Sequence, residues 1–313
     1  MKMNISISAI ICTHNRPEYL DKAIISLLEQ DLPKNKYEIL VVDNCSDGST
    51  KKIVTKYSSF ENIRYLFESN LGLSYARNTG YRNAYGAYIA YLDDDAIASP
   101  DWLGRILEAF ESVIPKPGCV GGKTRPIWET ARPSWLADSL LHGLGVIDWS
   151  DTPHFLDNLD KEWLVGANFA FPAEILEAIG GFDNHLDRVG KSLLSSGDVF
   201  LEKQIMKRGY SCYYHPKISV SHHIMKSRVS QSWFKKRYYW QGVSDAVMQF
   251  VEERPSKLRR LQISAFLSRR LFVSPSKVMA LLFPTNNPET FTKKCLALIE
   301  LGHIHHLLRS STL

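Results

Sequence analysis

Three adjacent carboxylates, Asp93, Asp94 and Asp95, follow the apolar run of residues 87–92 and are the strongest chemical signal in the sequence. Neighbouring anions repel one another, and a divalent cation, which prefers hard oxygen ligands, offsets that repulsion. Strand periodicity would point Asp93 and Asp95 to one face and Asp94 to the other. The pattern therefore predicts a metal site. The alternative is an exposed acidic turn ahead of a helix that begins near Pro100.

A further carboxylate, Asp198, lies in or just before the first turn of a predicted helix. A carboxylate there can act as a general base, although helix capping and the helix dipole explain it equally well. His222 and His223 end a strand of alternating apolar residues. One of them could complete a metal site, or both could be ordinary surface histidines.

Other polar residues also follow predicted strands. Asp43 ends an apolar strand, where it could accept a hydrogen bond from a ligand or from its own loop. Asn70 precedes a helix N-terminus and Arg77 lies on that helix, which suits a diphosphate unless Arg77 is simply solvated. Thr13 and Asn15 follow the first strand.

Alternating strand and helix signals in the first hundred residues would position these side chains. Strands are predicted at residues 5–12, 37–43, 63–67 and 87–92, with helices between them, one of which covers residues 73–84. Right-handed crossovers then give a mostly parallel sheet, and ligands bind beyond the carboxyl ends of such strands. We expect the four polar loops to converge there.

The rest of the chain is less regular. Its predicted elements are a strand at 163–171, a helix near 174–179, a helix at 199–208 and a strand at 211–221. From about Met225 the pattern is helical and basic. We therefore divide the chain into residues 1–100, 101–225 and 226–313.

Composition restricts the class of protein. The chain has 313 residues, of which 44% are hydrophobic and 23% charged, as in an ordinary globular protein and unlike a disordered chain or a coiled coil. Its longest purely apolar run, 278–283, is far shorter than the ~20 residues of a membrane-spanning helix. Five widely spaced cysteines without a Cys-x-x-Cys pair favour a reducing cytoplasm.

Charge is distributed unevenly. Residues 226–313 hold 15 Lys and Arg against 5 Asp and Glu, whereas the remainder holds 23 against 28. A basic tail on an acidic body is typical of contact with nucleic acid or an anionic membrane. Cations mixed with aromatic residues at 235–240, and the pairs Arg259-Arg260, Arg269-Arg270 and Lys293-Lys294, favour the membrane, the alternative being a solvated basic helix face.

Seven motifs occur together in order, at residues 8–16, 41–49, 70–80, 92–95, 166–168, 180–183 and 197–198. In this combination the chain resembles family-two glycosyltransferases over roughly residues 5–225. The resemblance implies an A-type glycosyltransferase fold, which is an α/β architecture with a Rossmann-like, mostly parallel sheet flanked by helices, here followed by a helical basic extension. Residues 1–100 would then bind the nucleotide-sugar and residues 101–225 the acceptor.

The resemblance also implies residue roles. Asp198 would be the catalytic base, although Gly197 stands where many relatives have Glu. Asp95 and Asp93, in the Asp-x-Asp pattern, would bind Mn²⁺ or Mg²⁺ with His222 or His223. The nucleotide-sugar would be bound by Thr13, Asn15, Asp43, Asn70, Arg77, Asp93 and Asp94, with Asp43 on the base.

The implied function is metal-dependent, inverting transfer of a sugar from a nucleoside-diphosphate sugar to a hydroxyl acceptor, in polysaccharide, lipopolysaccharide or glycolipid assembly. The chain lacks the Gln-x-x-Arg-Trp motif of processive synthases, so we expect non-processive transfer in the cytoplasm, with residues 226–313 on the inner face of the membrane and no nucleic acid as partner. The alternatives are a nucleotidyltransferase, against which the absence of a Gly-rich first loop argues, and a non-catalytic sugar- or nucleic-acid-binding protein.

Overall fold

The computed structural model describes residues 5–190 and 192–309. The chain divides into two compact units. The first, here called the sheet unit, comprises the described residues up to Ile127 together with Gly145–Asn184 and Gly197–His223. The second, the helical unit, comprises Trp128–Leu144, His185–Ser196 and the described residues from Ile224 onward.

The described strands are β1 (Ile7–Thr13), β2 (Tyr37–Asn44), β3 (Ile63–Glu68), β4 (Tyr88–Asp93), β5 (Ala96–Ala98), β6 (Pro117–Trp128), β7 (His154–Phe155), β8 (Asn168–Pro172) and β9 (Ser211–Ile224). The described α-helices are α1 (Pro17–Leu28), α2 (Ser49–Thr55), α3 (Leu73–Arg82), α4 (Trp102–Ser112), α5 (Ala173–Ile179), α6 (Gly197–Lys207), α7 (Gln231–Glu253), α8 (Lys257–Phe272), α9 (Pro275–Leu282) and α10 (Pro288–Arg309). Short 3₁₀ helices cover Asp138–Leu144 and Lys226–Arg228.

The strands form one sheet in the order β3-β2-β1-β4-β8-β6-β9-β5, with β7 paired to β9. The first four are parallel, as the alternation of strands and helices predicts. Their registers align Thr13 with Asp43, Cys12 with Asp93, and Asn44 with Glu68. The polar loops that follow these strands therefore begin at the same edge of the sheet.

The other half of the sheet is antiparallel. Strand β8 runs antiparallel to both β4 and β6, and β9 runs antiparallel to β5 and β7. Antiparallel neighbours need no crossover helix, so strand and helix alternation does not reveal them. The predicted α/β fold with C-terminal helices is confirmed. The sheet predicted to be mostly parallel is instead mixed, and among the described strand pairs parallel pairing is confined to β1–β4.

The strand predicted at 163–171 is shorter in the structure, because β8 begins only at Asn168. Upstream of it the backbone bonds to side chains instead of to a neighbouring strand. Leu164 N–H donates to Glu202, and Gly166 N–H donates to Asp198. The apolar sequence alone could not distinguish this side-chain-bound segment from a strand.

Apolar residues cover both faces of the central strands. Ile7, Ala9 and Ile11 of β1 pack with α1 and α4 on one face, whereas Ile10 packs on the other. Strand β2 alternates in the same way. Burial on both faces explains why these strands read as continuous apolar runs.

In the helical unit, α7 and α10 pack against each other, and α10 also contacts α8 and α9. The aromatic rings of Phe234 and Phe291 pack against each other and against Trp135. Within the described residues, none of the helices is long and apolar enough to cross a membrane.

Only part of residues 235–240 forms the basic aromatic surface that the sequence predicts, with Lys235 and Lys236 exposed. Tyr238 is buried, with its hydroxyl donating to the carbonyl of Leu140 (3.2 Å). Burial also lowers the pKa of Arg237 to about 10. Lys294 is buried as well, and its Nζ donates to the carbonyl of Phe283 (2.7 Å). Tyr238 and Lys294 therefore lie on the inward-facing sides of their helices, and Arg237 is partly buried.

Candidate active site

Two carboxylates and one histidine meet at the carboxyl edge of the sheet. Asp93 ends β4, Asp95 precedes β5, and His222 lies on β9, which pairs with β5 so that Ala96 stands opposite His222. One ligand atom from each of the three side chains lies within 4.8 Å of the other two. His222 Nε2 and Asp95 Oδ1 are 2.9 Å apart, and both side chains are almost fully buried.

Asp94 faces a different set of partners. Its Oδ2 accepts from Thr13 Oγ1 (2.7 Å) and its Oδ1 accepts from Arg16 (3.0 Å), which also reaches Asp95 Oδ2 (3.1 Å). Asp94 and Asp95 form a turn between β4 and β5. The turn, rather than an extended strand, therefore separates Asp94 from the other two carboxylates.

Electrostatics at this edge disfavour the ionised carboxylates. Burial, with a smaller contribution from Asp95, raises the pKa of Asp93. Burial also raises the pKa of Asp94, to about 6, against the opposing effect of Arg16. Two carboxylates and an imidazole are a common donor set for divalent ions such as Mn²⁺, and a bound cation would offset this cost. The residues present therefore fit a divalent metal.

His223 points elsewhere. Its backbone N–H donates to the carbonyl of Asp95 (2.8 Å), and its ring packs edge-on against Tyr19 with the centroids 5.4 Å apart. Successive side chains of a strand face opposite sides, so only one of two adjacent histidines can join the cluster. The structure brings His222, and not His223, to Asp93 and Asp95.

Asp198 lies in the first turn of α6 with both carboxylate oxygens engaged. Oδ1 accepts from Arg77 Nη1 (2.6 Å) and Oδ2 from the N–H of Gly166 (2.8 Å). The side chain is 23% exposed, so it remains accessible. A Cβ on Gly166 would collide with the Arg77 guanidinium, which explains why a residue without a side chain stands there.

The position of Arg77 differs from the expected one. The sequence predicts it beside a nucleotide, but the side chain is only 3% exposed and pairs with Asp198. The guanidinium carbon lies 5.2 Å from the ring centre of Phe169 and 5.0 Å from that of Phe182. These aromatic faces and the ion pair hold Arg77 inside the sheet unit.

Glu202 follows Asp198 by one helical turn and is fully buried. Its Oε2 accepts from the N–H of Leu164 (3.1 Å). Burial, with smaller effects from Cys212 and Asp198, raises the pKa of Glu202 well above its usual range. Two carboxylates on one helix therefore differ in character: Asp198 is paired and accessible, whereas Glu202 is enclosed.

Asp43 is buried and bonded on both oxygens, to the N–H of Ser46 (2.9 Å) and to the hydroxyl of Tyr65 (2.8 Å). The hydroxyl bond and burial together hold the pKa of Tyr65 at about 12, with burial the larger cause. Both of the sequence alternatives for Asp43 therefore remain compatible with its position, since each oxygen can accept a second bond.

The loops around Asp43 are bonded to one another. Asn15, at φ 54°, is exposed and accepts from the N–H of Asp47 (2.9 Å). Asn44 donates to the carbonyl of Asn70 (2.7 Å), and its Oδ1 accepts from the N–H of Gly72 at the start of α3 (2.8 Å). Thr13, Asn15, Asp43 and Asn70 thus stand at one edge, as the parallel registers predict.

Sequence reasoning assigned no role to four residues that shape the site: Arg16, Tyr65, Gly166 and Glu202. Arg16 and Gly166 lie in the motifs at 8–16 and 166–168, whereas Tyr65 and Glu202 lie in none of the seven motifs. Arg16 follows Asn15 directly, so its proximity to the carboxylates could have been inferred from the first loop. Tyr65 and Glu202 gave no signal, because their contacts join segments far apart in sequence.

Comparison with known proteins gives a consistent result. The family model for glycosyl transferase family 2 matches residues 8–179. The chain is 23% identical over 250 residues to glucosyl-dolichyl phosphate glucuronosyltransferase of Haloferax volcanii, covering 78% of each protein. It is 32% identical over 211 residues to glycosyltransferase AglE of the same organism, covering 66% of this chain and 62% of that protein.

A solved structure shares the fold. It is the mannosyltransferase PcManGT from Pyrobaculum calidifontis in complex with GDP-Man and Mn²⁺, with a TM-score of 0.62 and 17% identity. The alignment covers 95% of this chain and 86% of that one.

Proposed function

The chain belongs to glycosyl transferase family 2 and is a glycosyltransferase, and from that premise we propose that it moves a sugar from a nucleoside-diphosphate sugar to a hydroxyl acceptor, with metal dependence and inversion. The observation that carries the proposal is the juxtaposition of Asp93, Asp95 and His222 within 4.8 Å. The family match disfavours both the nucleotidyltransferase and the non-catalytic alternative.

We assign the donor to the loop edge of the parallel strands. Asp43 would accept from the base, with Thr13, Asn15 and Asn70 around the nucleoside and Asp94 oriented by Arg16. Parallel strands offer their carboxyl ends to ligands, which supports this assignment. The mannosyltransferase similar in fold is described in complex with GDP-Man and Mn²⁺.

Asp93, Asp95 and His222 would hold Mn²⁺ or Mg²⁺. When bound, a divalent ion neutralises charge that builds on the departing nucleoside diphosphate. His222 already contacts Asp95, so the two side chains are preorganised as neighbours. Little reorganisation of the protein is then needed on binding.

Asp198 would accept the proton from the acceptor hydroxyl. At the same time the hydroxyl oxygen bonds to the anomeric carbon of the donor, and the bond between that carbon and the diphosphate oxygen breaks. Attack from the face opposite the leaving group inverts that carbon. Arg77 and the N–H of Gly166 fix the orientation of the carboxylate. Each oxygen retains a lone pair for the hydroxyl.

Thermal stability measured against a panel of nucleoside diphosphates and nucleotide sugars, with and without Mn²⁺, tests the donor assignment. Ligand that binds the folded state raises the melting temperature. We expect a rise with at least one nucleoside diphosphate that requires Mn²⁺, and its loss in Asp95→Ala. Asp101→Asn, at an exposed carboxylate of the same unit, serves as control. An Mn²⁺-dependent rise that Asp95→Ala retains would contradict the metal assignment.

We place the reaction in polysaccharide, lipopolysaccharide or glycolipid assembly, by non-processive transfer. The name of one relative, glucosyl-dolichyl phosphate glucuronosyltransferase, describes a lipid-linked acceptor. Release of nucleoside diphosphate with lipid-linked or with water-soluble saccharide acceptors distinguishes these contexts.

A further inference from the structure

Exposed apolar side chains are concentrated in one stretch of the helical unit, which includes α8 and α9, two helices in contact with each other. Among the described residues, twelve large apolar side chains are more than half exposed, and eight of these lie between Leu258 and Phe283. The most informative are Leu258, Leu261, Phe266, Phe272, Leu282 and Phe283, which we call the α8–α9 apolar surface. Scattered exposed apolar residues are normal, but a cluster of this kind marks an interaction site.

Helix α8 is apolar on two sides. On its inner side, Leu271 is buried and Ile263 packs against Ala246, Phe250 and Leu307. On its outer side, Leu258 and Leu261 are one turn apart, and Phe272 returns to the same face eleven residues after Leu261, with exposures of 67%, 56% and 70%. Helix α8 also carries five Lys and Arg among its sixteen residues, so these outer apolar side chains are exposed beside cations. A partner that covered them would remove apolar surface from water.

The charged residues within this stretch of the chain are all basic. Residues 255–288 contain six Lys and Arg and no Asp or Glu. Two of the cations, Arg270 and Lys277, bond to Glu300 at 2.8 Å and hold α8 and α9 to α10. Lys257, Arg259 and Arg269 are exposed beside the apolar side chains.

We propose that the α8–α9 apolar surface docks on an anionic lipid bilayer, with the apolar side chains entering the interfacial region and Lys257, Arg259 and Arg269 facing lipid phosphates. Apolar residues flanked by cations are the composition that such binding needs. A second copy of the chain fits less well, because a symmetric dimer would bring the same positive charges together.

This surface is narrower than the whole region 226–313 that the sequence assigns to the membrane. Tyr238 and Lys294 are buried and Arg237 is partly buried, so these three side chains do not form part of the proposed docking surface. The inference does not depend on the proposed transfer reaction, so failure of lipid binding would leave the active-site assignment unaffected.

Co-sedimentation of the full chain with vesicles tests the proposal. We compare vesicles of phosphatidylcholine alone with vesicles in which about one third is phosphatidylglycerol. We expect binding to the anionic vesicles only, weakened by salt. Phe272→Glu and Leu261→Glu should each weaken binding at least about tenfold, and Arg259→Gln and Arg269→Gln about fivefold each.

Ile114→Glu is the matched control, since Ile114 is an apolar residue of the sheet unit with 88% exposure. It should bind as the wild type does. All these side chains are exposed, so melting temperatures should be unchanged, and transfer to a water-soluble acceptor should be unaffected. Equal affinity of Phe272→Glu and wild type would overturn the proposal, as would equal binding to both kinds of vesicle.

A measurement of how deeply position 272 enters the bilayer provides a second, independent test. Phe272→Trp keeps the site aromatic, and brominated lipids should quench its fluorescence relative to the wild type in anionic vesicles. Absence of additional quenching would overturn insertion. A concentration-dependent dimer that Phe272→Glu dissociates would assign the surface to a second copy instead.

Discussion

The sheet unit and the helical unit differ in what they place inside and outside. At the edge of the sheet, carboxylates, a histidine and an arginine are gathered in the interior, with Asp95 2% and Arg77 3% exposed. The helical unit instead leaves large apolar side chains in solvent, and glycines mark the closest approach of its two long helices. Burial of charge costs stability, as does exposure of apolar surface. In each unit the destabilising feature therefore lies at the proposed binding site, which is the metal and donor site in the sheet unit and the lipid-binding surface in the helical unit.

The largest effect should come from Asp198→Asn. Asparagine keeps the size of the side chain but cannot accept the proton, so transfer should fall at least about 10³-fold. Donor binding should stay within a few-fold, because Asp198 is assigned to the acceptor side. Rates of transfer, together with donor affinity from the thermal-shift titration, check both statements.

Glu202→Gln sharpens this prediction as a control from the same helix. Burial raises the pKa of Glu202 well above its usual range. Glutamine has no charge to desolvate and keeps an acceptor oxygen for the N–H of Leu164, so it should be tolerated there. Transfer should change less than about tenfold. Transfer by Asp198→Asn at the wild-type rate, or loss of activity only in Glu202→Gln, would remove Asp198 as the base.

Arg77→Lys should have the next largest effect. Lysine keeps the charge but lacks the planar fork that contacts the rings of Phe169 and Phe182 and meets Asp198 at 2.6 Å. If Arg77 acts by positioning the base, kcat should fall about 100-fold while the donor KM is unchanged. A raised donor KM with unchanged kcat would indicate direct nucleotide contact instead. Arg82→Lys, at an exposed arginine of α3, should leave both constants unchanged.

The sequence predicts the strands that surround the site but does not predict the position of Arg77. Apolar strands with intervening helices predict the parallel half of the sheet, and parallel topology alone places Thr13, Asp43 and Asp93 at one edge. The pairing of Arg77 with Asp198 spans 121 residues of sequence and is invisible to local patterns. It depends on α6 and α3 meeting beside β8, which no residue type specifies.

The antiparallel half of the sheet was also less predictable, because its contacts join segments that are distant in sequence. Strand β5 has three residues, and its pairing with β9 brings His222 to Asp95. The choice between His222 and His223 depends on that register, because a shift by one residue exchanges the two faces. Chemistry of the residue types suggested a histidine ligand, but only tertiary structure distinguishes the two.

Gly242→Ala tests the packing of the helical unit. A Cβ at Gly242 would collide with the carbonyl oxygen of Ile299, and one at Gly302 would collide with that of Tyr239. Overpacking should cost about 1–3 kcal/mol of stability and increase hydrogen exchange in α7 and α10. Gly104→Ala in α4 has open space around it and should stabilise the sheet unit by about 0.5–1 kcal/mol. Faster exchange confined to the sheet unit in Gly242→Ala would contradict the distinction between the units.

Acidification should lower the folding stability of the helical unit. Burial, aided by Arg237 for His142 and by His306 for His303, lowers the pKa of both histidines from 6.5 to about 4. The unfolded chain therefore takes up protons first as the pH falls from about 6.5 to 4, and stability is lost over that range. The loss should be up to about 3 kcal/mol for each histidine, measured as the free energy of hydrogen exchange in α7 and α10 after correction for the intrinsic pH dependence.

Around α6 we expect acidification to have the opposite effect on stability. The raised pKa of Glu202 means that the folded protein binds its proton while the unfolded chain is still ionised, so falling pH adds stability there. His142→Gln and His303→Gln, which preserve hydrogen-bonding capacity toward Tyr238 and Gln249, should flatten the pH response of the helical unit and leave that of α6 unchanged. Parallel responses in α6 and α10 would show that the two units unfold together, because their buried titratable groups would otherwise drive exchange in opposite directions.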